Sequence, residues 1–289
     1  MIVVTGSTGH VGGELVSQLA GRGVPVRAMT RRPEAATFPA GVEVVYGDAA
    51  DPASLDTAFA GADGAFLMSA QPVGSAPAPT HLVALADAAR RAGVRRVAQL
   101  SVLGGGSAQR GLLGEWHEIS EAAVVDSGMD WTLLRPGRFF SNAMPWARVL
   151  QRGDTLHIPF AHRPTASIDP YDIAAVAAEA LVTGDHGKTR YELSGPEVLT
   201  PVQEVEILGG LLGRSLQVVE PPVEAFREGM LRSGMSEDVV DSILDVTSMD
   251  ERHGAEVLPT VPQVLGRPAR NFTDWVRAHI GLFTEGESR

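Results

Sequence analysis

The chain has 289 residues, 44% hydrophobic and 20% charged, with a formal net charge of -11 and no cysteine. That length suits one large domain or a domain plus a lobe; the acidic balance leaves no basic footprint for nucleic acid, and the missing thiols exclude disulfides, thiolate zinc sites and cysteine nucleophiles. No apolar run approaches the ~18 residues of a membrane span and the opening "MIVVTG" carries no signal-peptide pattern, so a cytoplasmic protein that meets small molecules, with neither nucleic acid nor membrane as partner, is expected.

In chain order, short β-branched runs alternate with amphipathic stretches: "IVVTG", a helix from Val11 to Arg22, "VPVRAMT", "VEVVYGD", a helix from Pro52 to Ala60, "GAFLMS", a helix from Pro79 to Ala92, and "RRVAQLS". This alternation predicts an α/β fold, a doubly wound parallel sheet with crossover helices on both faces. Pro52 and Pro79 stand where helices begin, and Gly21, Gly61 and Gly93 where they stop. A helix over Glu115 to Ser127 and the strand "DWTLLRP" continue the rhythm. It then weakens: "RGDTLHIPFAHRP" reads as loop or short strands, followed by a helix over Pro170 to Thr183. A strand near "RYELSG", a helix over Pro201 to Leu212, a strand near "LQVVE" and helical segments over Val223 to Arg232 and Glu237 to Thr247 form a smaller, mostly helical lobe at the sheet's carboxyl edge. No repeat or long linker interrupts the chain.

The first strand runs directly into "TGSTGHVGG", which places Gly6, Gly9 and Gly12 at the opening of a helix. Glycines there permit a tight turn and close backbone approach, so that a pyrophosphate can rest on amides at the helix's positive end; with Val11 in the same turn, dinucleotide binding is expected. Ser7, Thr8 and His10 are candidate donors to phosphate, or else solvated loop residues. About twenty residues on, where an acid would hold the ribose hydroxyls of NAD, the chain carries Thr30, Arg31 and Arg32. Guanidiniums there suit a 2′-phosphate, so the expected cofactor is NADP(H). Asp48, closing "YGD", either contacts adenine or caps the helix opened by Pro52.

Taken together, "TGSTGHVG", "TRRPE", "SGMDWTLLRPGRFFSN" and "IDPYDIAAVA" resemble the atypical short-chain dehydrogenase/reductase family in its NmrA-like branch. The resemblance spans nearly the whole chain. It implies a Rossmann domain over residues 1–148, with 165–185 packing back onto it, and a substrate lobe over 149–164 and 186–289; Met68 and Ser69 fall with the cofactor-binding positions. That branch holds both NADPH-dependent reductases and redox-sensing regulators without turnover. Extended relatives carry a catalytic helix of form YxxxKxxxE before a strand ending in "RP". Aligned on Glu121 and "LLRPG", this chain has Leu113 in the tyrosine slot and His117 in the lysine slot, while Ser101 takes the place of the catalytic serine, also against the cofactor. The only lysine is Lys188, and none of Tyr46, Tyr171 and Tyr191 precedes it by four positions, so no YxxxK pair exists anywhere.

Hydride addition to an isolated ketone develops an alkoxide that needs a proton donor or oxyanion stabiliser, and Leu113 offers neither. Either Ser101 and His117 share that task, or the substrate is an electron-poor conjugated carbonyl whose reduced anion is already delocalised; the second reading is preferred. Trp116, Phe139, Phe140, Met144 and Trp146, following strands where open α/β sheets bind ligands, suggest an aromatic, quinone-like or polyketide-like substrate, oriented by Arg138 and Asn142. Asp172 is read as a buried helix cap, and Met235 and Met249 as packing or as a lid. The leading expectation is an NADPH-dependent carbonyl reductase. The alternative is an NADP(H)-sensing regulator that engages a protein partner. No metal site is expected, and the sequence leaves the oligomeric state open.

Overall fold

The computed structural model describes residues 1–104, 111–248 and 254–284; Met249 lies outside them. The elements follow as β1 (Ile2–Val4), α1 (His10–Gly21), β2 (Val26–Thr30), β3 (Glu43–Tyr46), α2 (Pro52–Phe59), β4 (Gly64–Leu67), α3 (Thr80–Arg91), β5 (Arg96–Leu100), α4 (Gly111–Val125), β6 (Asp130–Pro136), α5 (Met144–Leu150), β7 (Thr155–His157), α6 (Pro170–Val182), β8 (Thr189–Leu193), α7 (Pro201–Leu212), β9 (Gln217–Val219), α8 (Val223–Arg232), α9 (Glu237–Ser248), α10 (Thr260–Leu265), α11 (Phe272–Ala278) and α12 (Ile280–Thr284). Among the described residues the main sheet has seven strands in the order β3-β2-β1-β4-β5-β6-β8, and every pairing in it is parallel. The strand order reverses direction between β1 and β4, which opens a crevice at their carboxyl ends where ligands of open α/β sheets bind.

Strand alternation divides the core between the two faces. Val4, Phe66, Ala98 and Leu134 point toward α1 and α6, while Val3, Leu67, Val97 and Leu133 point toward α2, α3 and α4. α6 is buried nearly all round, and its alanines let it lie close against α1. Its start is set by Pro170 and by Asp169, whose carboxylate accepts from the Tyr171 amide at 2.8 Å. Asp172 is therefore not the cap: it accepts from the Arg270 amide at 2.7 Å and pairs with Arg267 at 2.8 Å, tying α6 to the loop before α11.

A third cluster builds the lobe. Phe140, Trp146 and Leu150 pack with Leu208 of α7 and with Phe272, Trp275 and Phe283 from the last two helices. The Phe140 and Phe272 rings meet edge-on with centroids 5.2 Å apart. The stretch read as loop or short strands contributes β7, which pairs in parallel with β9 as a separate two-stranded sheet. No helix among the described residues is long and apolar enough to cross a membrane.

Candidate functional site

The chain leaves β1 at Val4 and turns through Thr5 to Gly9 into α1. Gly6 adopts φ 60°, in the left-handed region, and a β-carbon on it would lie 2.4 Å from Met68 Sδ. Gly9 closes the turn, its amide donating to the Gly6 carbonyl at 2.9 Å. As N-cap of α1 it lends no side-chain hydrogen bond, and no acidic residue occupies the first turn. The leading amides of α1 therefore keep their donor capacity and positive potential for an anion, which is the fit a dinucleotide pyrophosphate requires. Two buried hydroxyls hold the loop in place. Thr5 Oγ1 donates to the Met68 carbonyl at 2.9 Å and accepts from the Met68 amide at 2.8 Å, and Ser7 Oγ donates to the Met29 carbonyl at 2.9 Å.

Between this loop and the ends of β2, β3 and β4 lies a cleft of about 310 Å³. Gly6, Thr8, Gly9, Thr30, Arg31, Asp48, Met68 and Ser69, all singled out in the sequence, line it together. Other expected cofactor residues sit elsewhere. Ser7 is buried with its hydroxyl engaged by Met29, Val11 is core, and a β-carbon on Gly12 would lie 2.2 Å from the Gly6 carbonyl oxygen. These three shape the turn from behind. His10 is exposed and outside the cleft lining, as is Arg32, whose amide donates to Thr30 Oγ1 at 3.2 Å. Arg31 is thus the guanidinium on the cleft. The Asp48 carboxylate accepts from the Ala50 amide at 3.0 Å, and the N-cap position of α2 is Asp51, so Asp48 does not cap that helix.

Sequence reading missed Gln71 and His81, which also line the cleft. Gln71 Oε1 accepts from the His81 amide at 2.9 Å and its Nε2 donates to Thr80 Oγ1 at 3.2 Å, so the loop after β4 is fastened to the start of α3. No local pattern marks them, because a ten-residue separation is closed only by the fold.

Ser101 follows β5, is 6% exposed, and donates to Glu121 Oε1 at 2.6 Å. Glu121, on α4, also receives the fork of Arg135 from β6, with Nε 2.9 Å from Oε1. The hydrogen bond to Glu121 raises the pKa of Arg135 further, so the guanidinium stays charged. The Ser101 proton is committed to a charged acceptor, and donating it to a substrate oxygen would break a charge-assisted bond. His117 is half-buried on α4, one turn before Glu121, and Leu113 precedes it by one more turn.

The expected substrate residues do not converge. Phe140 is 1% exposed in the lobe core, joined there by Trp146 and by the partly buried Met144, because the 3₁₀ turn at Phe140–Ala143 and α5 direct these side chains onto α11 and α12. Trp116 is buried on α4, Phe139 packs against the core shared by α1 and α6, and Asn142 faces solvent. Arg138 is bound to the fully buried Glu204 of α7 and donates to Ser167 Oγ at 2.9 Å. Burial withholds Phe140, Trp146 and Trp116 from a ligand, and Arg138 is committed to Glu204. A second cavity, of about 470 Å³, opens instead between the loop after β4, the start of α4, the turn between α8 and α9, and α9; its lining includes Val73, Leu113, Met235, Val239 and Ile243. Pro72 lines both this cavity and the cleft. Among the described residues no group of histidines and acids could hold a metal.

Comparison with known proteins agrees with this geometry. The pattern of the NAD(P)H-binding family matches residues 6–183. The chain is 38% identical to the (4-alkanoyl-5-oxo-2,5-dihydrofuran-3-yl)methyl phosphate reductase of Streptomyces griseus, over 98% of this chain and 99% of that protein. It is 31% identical to the NAD(P)H azoreductase of Xenophilus azovorans, again over 98% and 99%. Among solved structures it is similar to an NADPH-dependent quinone oxidoreductase from Escherichia coli in complex with NADPH, with a TM-score of 0.79, 26% identity, and 97% and 100% of the two chains covered.

Proposed function

Because the chain belongs to the NAD(P)H-binding family and is an NAD(P)H-dependent oxidoreductase, we propose that it reduces a conjugated, electron-poor small molecule of quinone-like, azo-like or unsaturated-carbonyl type, with NADPH preferred over NADH. The observation that carries this reading is the cleft itself: a glycine turn with an uncapped helix start, faced by Arg31 where the second ribose would lie. The bound cofactor supplies hydride. The chain's part is to hold it, through the α1 amides on the pyrophosphate and Arg31 on the 2′-phosphate, while Thr5 and Ser7 keep the loop seated.

Leu113 takes the place of a phenol, and Ser101 is bonded to Glu121, so neither of these two positions offers a free hydroxyl acid. An acceptor whose reduced form spreads its charge over a conjugated system needs none, and solvent completes the protonation. The compounds in the three relatives' names, a quinone, an azo compound and a (4-alkanoyl-5-oxo-2,5-dihydrofuran-3-yl)methyl phosphate, each contain a conjugated acceptor, and the last also carries a phosphate. We also propose that residues 1–148 with 165–185 bind the cofactor, and that 149–164 with 186–289 form the lobe completing the substrate side. Following NADPH absorbance with a panel of quinones, azo dyes and isolated ketones tests the proposal. Turnover of conjugated acceptors with isolated ketones inert is expected. Ketone reduction at comparable rates, or NADPH binding without oxidation by any acceptor, overturns it; the latter result belongs to a cofactor-sensing regulator.

A further inference from the structure

The hairpin of α8 and α9 is, we infer, a lid that swings on the end of β9 and is caught in its closed position by the Phe226 ring against the Phe160 ring. What the lid encloses rests on the reductase reading; the catch rests on the fold. The hairpin has little core of its own. α8 buries Met230 and leaves Phe226 and Arg227 half-buried, with most of the helix exposed. Arg227 ties it to Asp241 of α9 at 3.1 Å, an exposed pair that adds little. Elements so sparsely buried open at a lower free energy than the sheet behind them. The chain enters α8 through Pro221 and Pro222, with Pro222 at φ -53° and ψ 145°. Two prolines with fixed φ make a stiff arm, so the hairpin moves as a body and does not unravel.

At its α9 side the closed hairpin rests on the parallel-sheet domain. Ser242 is 4% exposed, and its Oγ accepts from the Leu112 amide at 3.1 Å, satisfying a donor at the start of α4. Gly74 adopts φ 74°, and a β-carbon there would lie 2.6 Å from Val239 Cγ2, so the loop after β4 fits under α9 because it has no side chain at that place. Gly234, Met235 and Ser236, in the turn between the two helices, line the cavity beside the cofactor cleft while themselves exposed to solvent.

At its α8 side the hairpin meets a strained residue. Phe160 adopts φ 53°, in the left-handed region, where a β-carbon crowds the following carbonyl oxygen. Its neighbours hold it there: the Ile158 amide donates to the Val219 carbonyl at 3.0 Å, the Ala161 carbonyl accepts from the Val202 amide at 3.1 Å, and its own carbonyl accepts from the Arg163 amide at 3.0 Å. A glycine would take this turn without strain. Phenylalanine instead supplies a ring that meets Phe226 edge-on, with centroids 6.2 Å apart and planes at 87°. Strain of this kind persists where the surroundings over-determine it, and it gathers at clamps and switches. One edge-on aromatic contact is weak enough to break thermally and oriented enough to define a single closed position. A lid so caught shields the reacting pair from water and still releases product.

The test uses the full chain and has two arms. Limited trypsin digestion, followed by mass spectrometry, reads opening of the hairpin from cleavage after Arg227 and Arg232 of α8, with the exposed Arg277 of α11 as the reference site. Phe226→Ala and Phe160→Gly should each raise α8 cleavage roughly tenfold and leave cleavage after Arg277 and the circular dichroism unchanged. In the second arm, Phe160→Cys with Phe226→Cys creates the one thiol pair in a chain that has no cysteine, and a bis-maleimide bridges it. Bridging should lower NADPH oxidation with menadione roughly tenfold or more, whereas capping the same two thiols with N-ethylmaleimide should not. Cleavage of α8 within about twofold of the unmodified protein in both single variants, or equal turnover by the bridged and capped proteins, overturns the lid and leaves the reductase reading standing. An unmodified protein that oxidises no NADPH with any acceptor overturns the reductase reading, and the trypsin rates then decide the lid by themselves.

Discussion

Arg138 was, with Asn142, expected to orient a substrate, and its observed environment predicts a different phenotype. Glu204 is fully buried on α7, its carboxylate held by Arg138 and its other oxygen without a hydrogen-bond partner. Burial raises the Glu204 pKa, and Arg138 opposes that rise. Removing one member of a buried pair strands the other charge, at a cost of about 3 to 5 kcal/mol. At about 2 °C per kcal/mol for a chain of this size, Arg138→Ala should lower Tm by about 6 to 10 °C. The pH dependence follows from the direction of the shift. A carboxylate with a raised folded pKa leaves stability intact below its unfolded value, near pH 4.3, and erodes it as pH rises through the folded value. Without Arg138 the folded value moves higher still, so the deficit should be small near pH 4.5 and full near pH 8. Urea unfolding of both proteins at the two pH values measures it, and Arg138→Met with Glu204→Leu should recover most of the loss. A Tm within about 2 °C of the unmodified protein at pH 8, accompanied by a large rise in KM, would refute the structural role and return Arg138 to the substrate.

Gly12→Val should destabilise the fold itself, since its β-carbon meets backbone at 2.2 Å, whereas Gly9→Val, with 3.2 Å to the same carbonyl oxygen, should fold and lose NADPH; thermal melts and nicotinamide fluorescence separate the two. Arg31→Ala should weaken NADPH binding about 10- to 100-fold with little change for NADH, and Arg32→Ala should do less, because Arg31 alone of the two lines the cleft; an equal loss for both cofactors would contradict the 2′-phosphate assignment. Ser101→Ala should cost about 1 kcal/mol of stability, leaving Glu121 with Arg135, and both Ser101→Ala and His117→Ala should lower kcat by less than ~100-fold with a conjugated acceptor. A larger loss in His117→Ala at unchanged NADPH affinity, together with loss of the imidazole limb of the pH profile, would restore protein acid catalysis.

What the sequence determined by itself is the part of the molecule whose signals are local. Strand-to-helix alternation specifies a parallel sheet because each period is written within a few residues, and the glycine turn is legible because backbone torsion and close approach are demands on single positions: Gly6, Gly9 and Gly12 each answer one. Arg31 and Arg32 were picked out by their distance along one strand-helix-strand unit, though only Arg31 lines the cleft, and the absence of a YxxxK pair needed only counting. Local reading could not see which partners distant residues would find. Arg138 met Glu204 across 66 residues, Ser242 met Leu112 across 130, and Gln71 with His81 closed the cleft through a loop of no recognisable pattern. The aromatic run after β6 shows the limit most clearly. Phe140 and Trp146 each read singly as core and only as a group as pocket, and Phe272 and Trp275, both from α11, a helix that the sequence reading did not identify, pack against them. Hydrophobicity states only that a side chain leaves water; whether it leaves for a ligand or for another part of the chain is decided by what the remaining residues bring to that place.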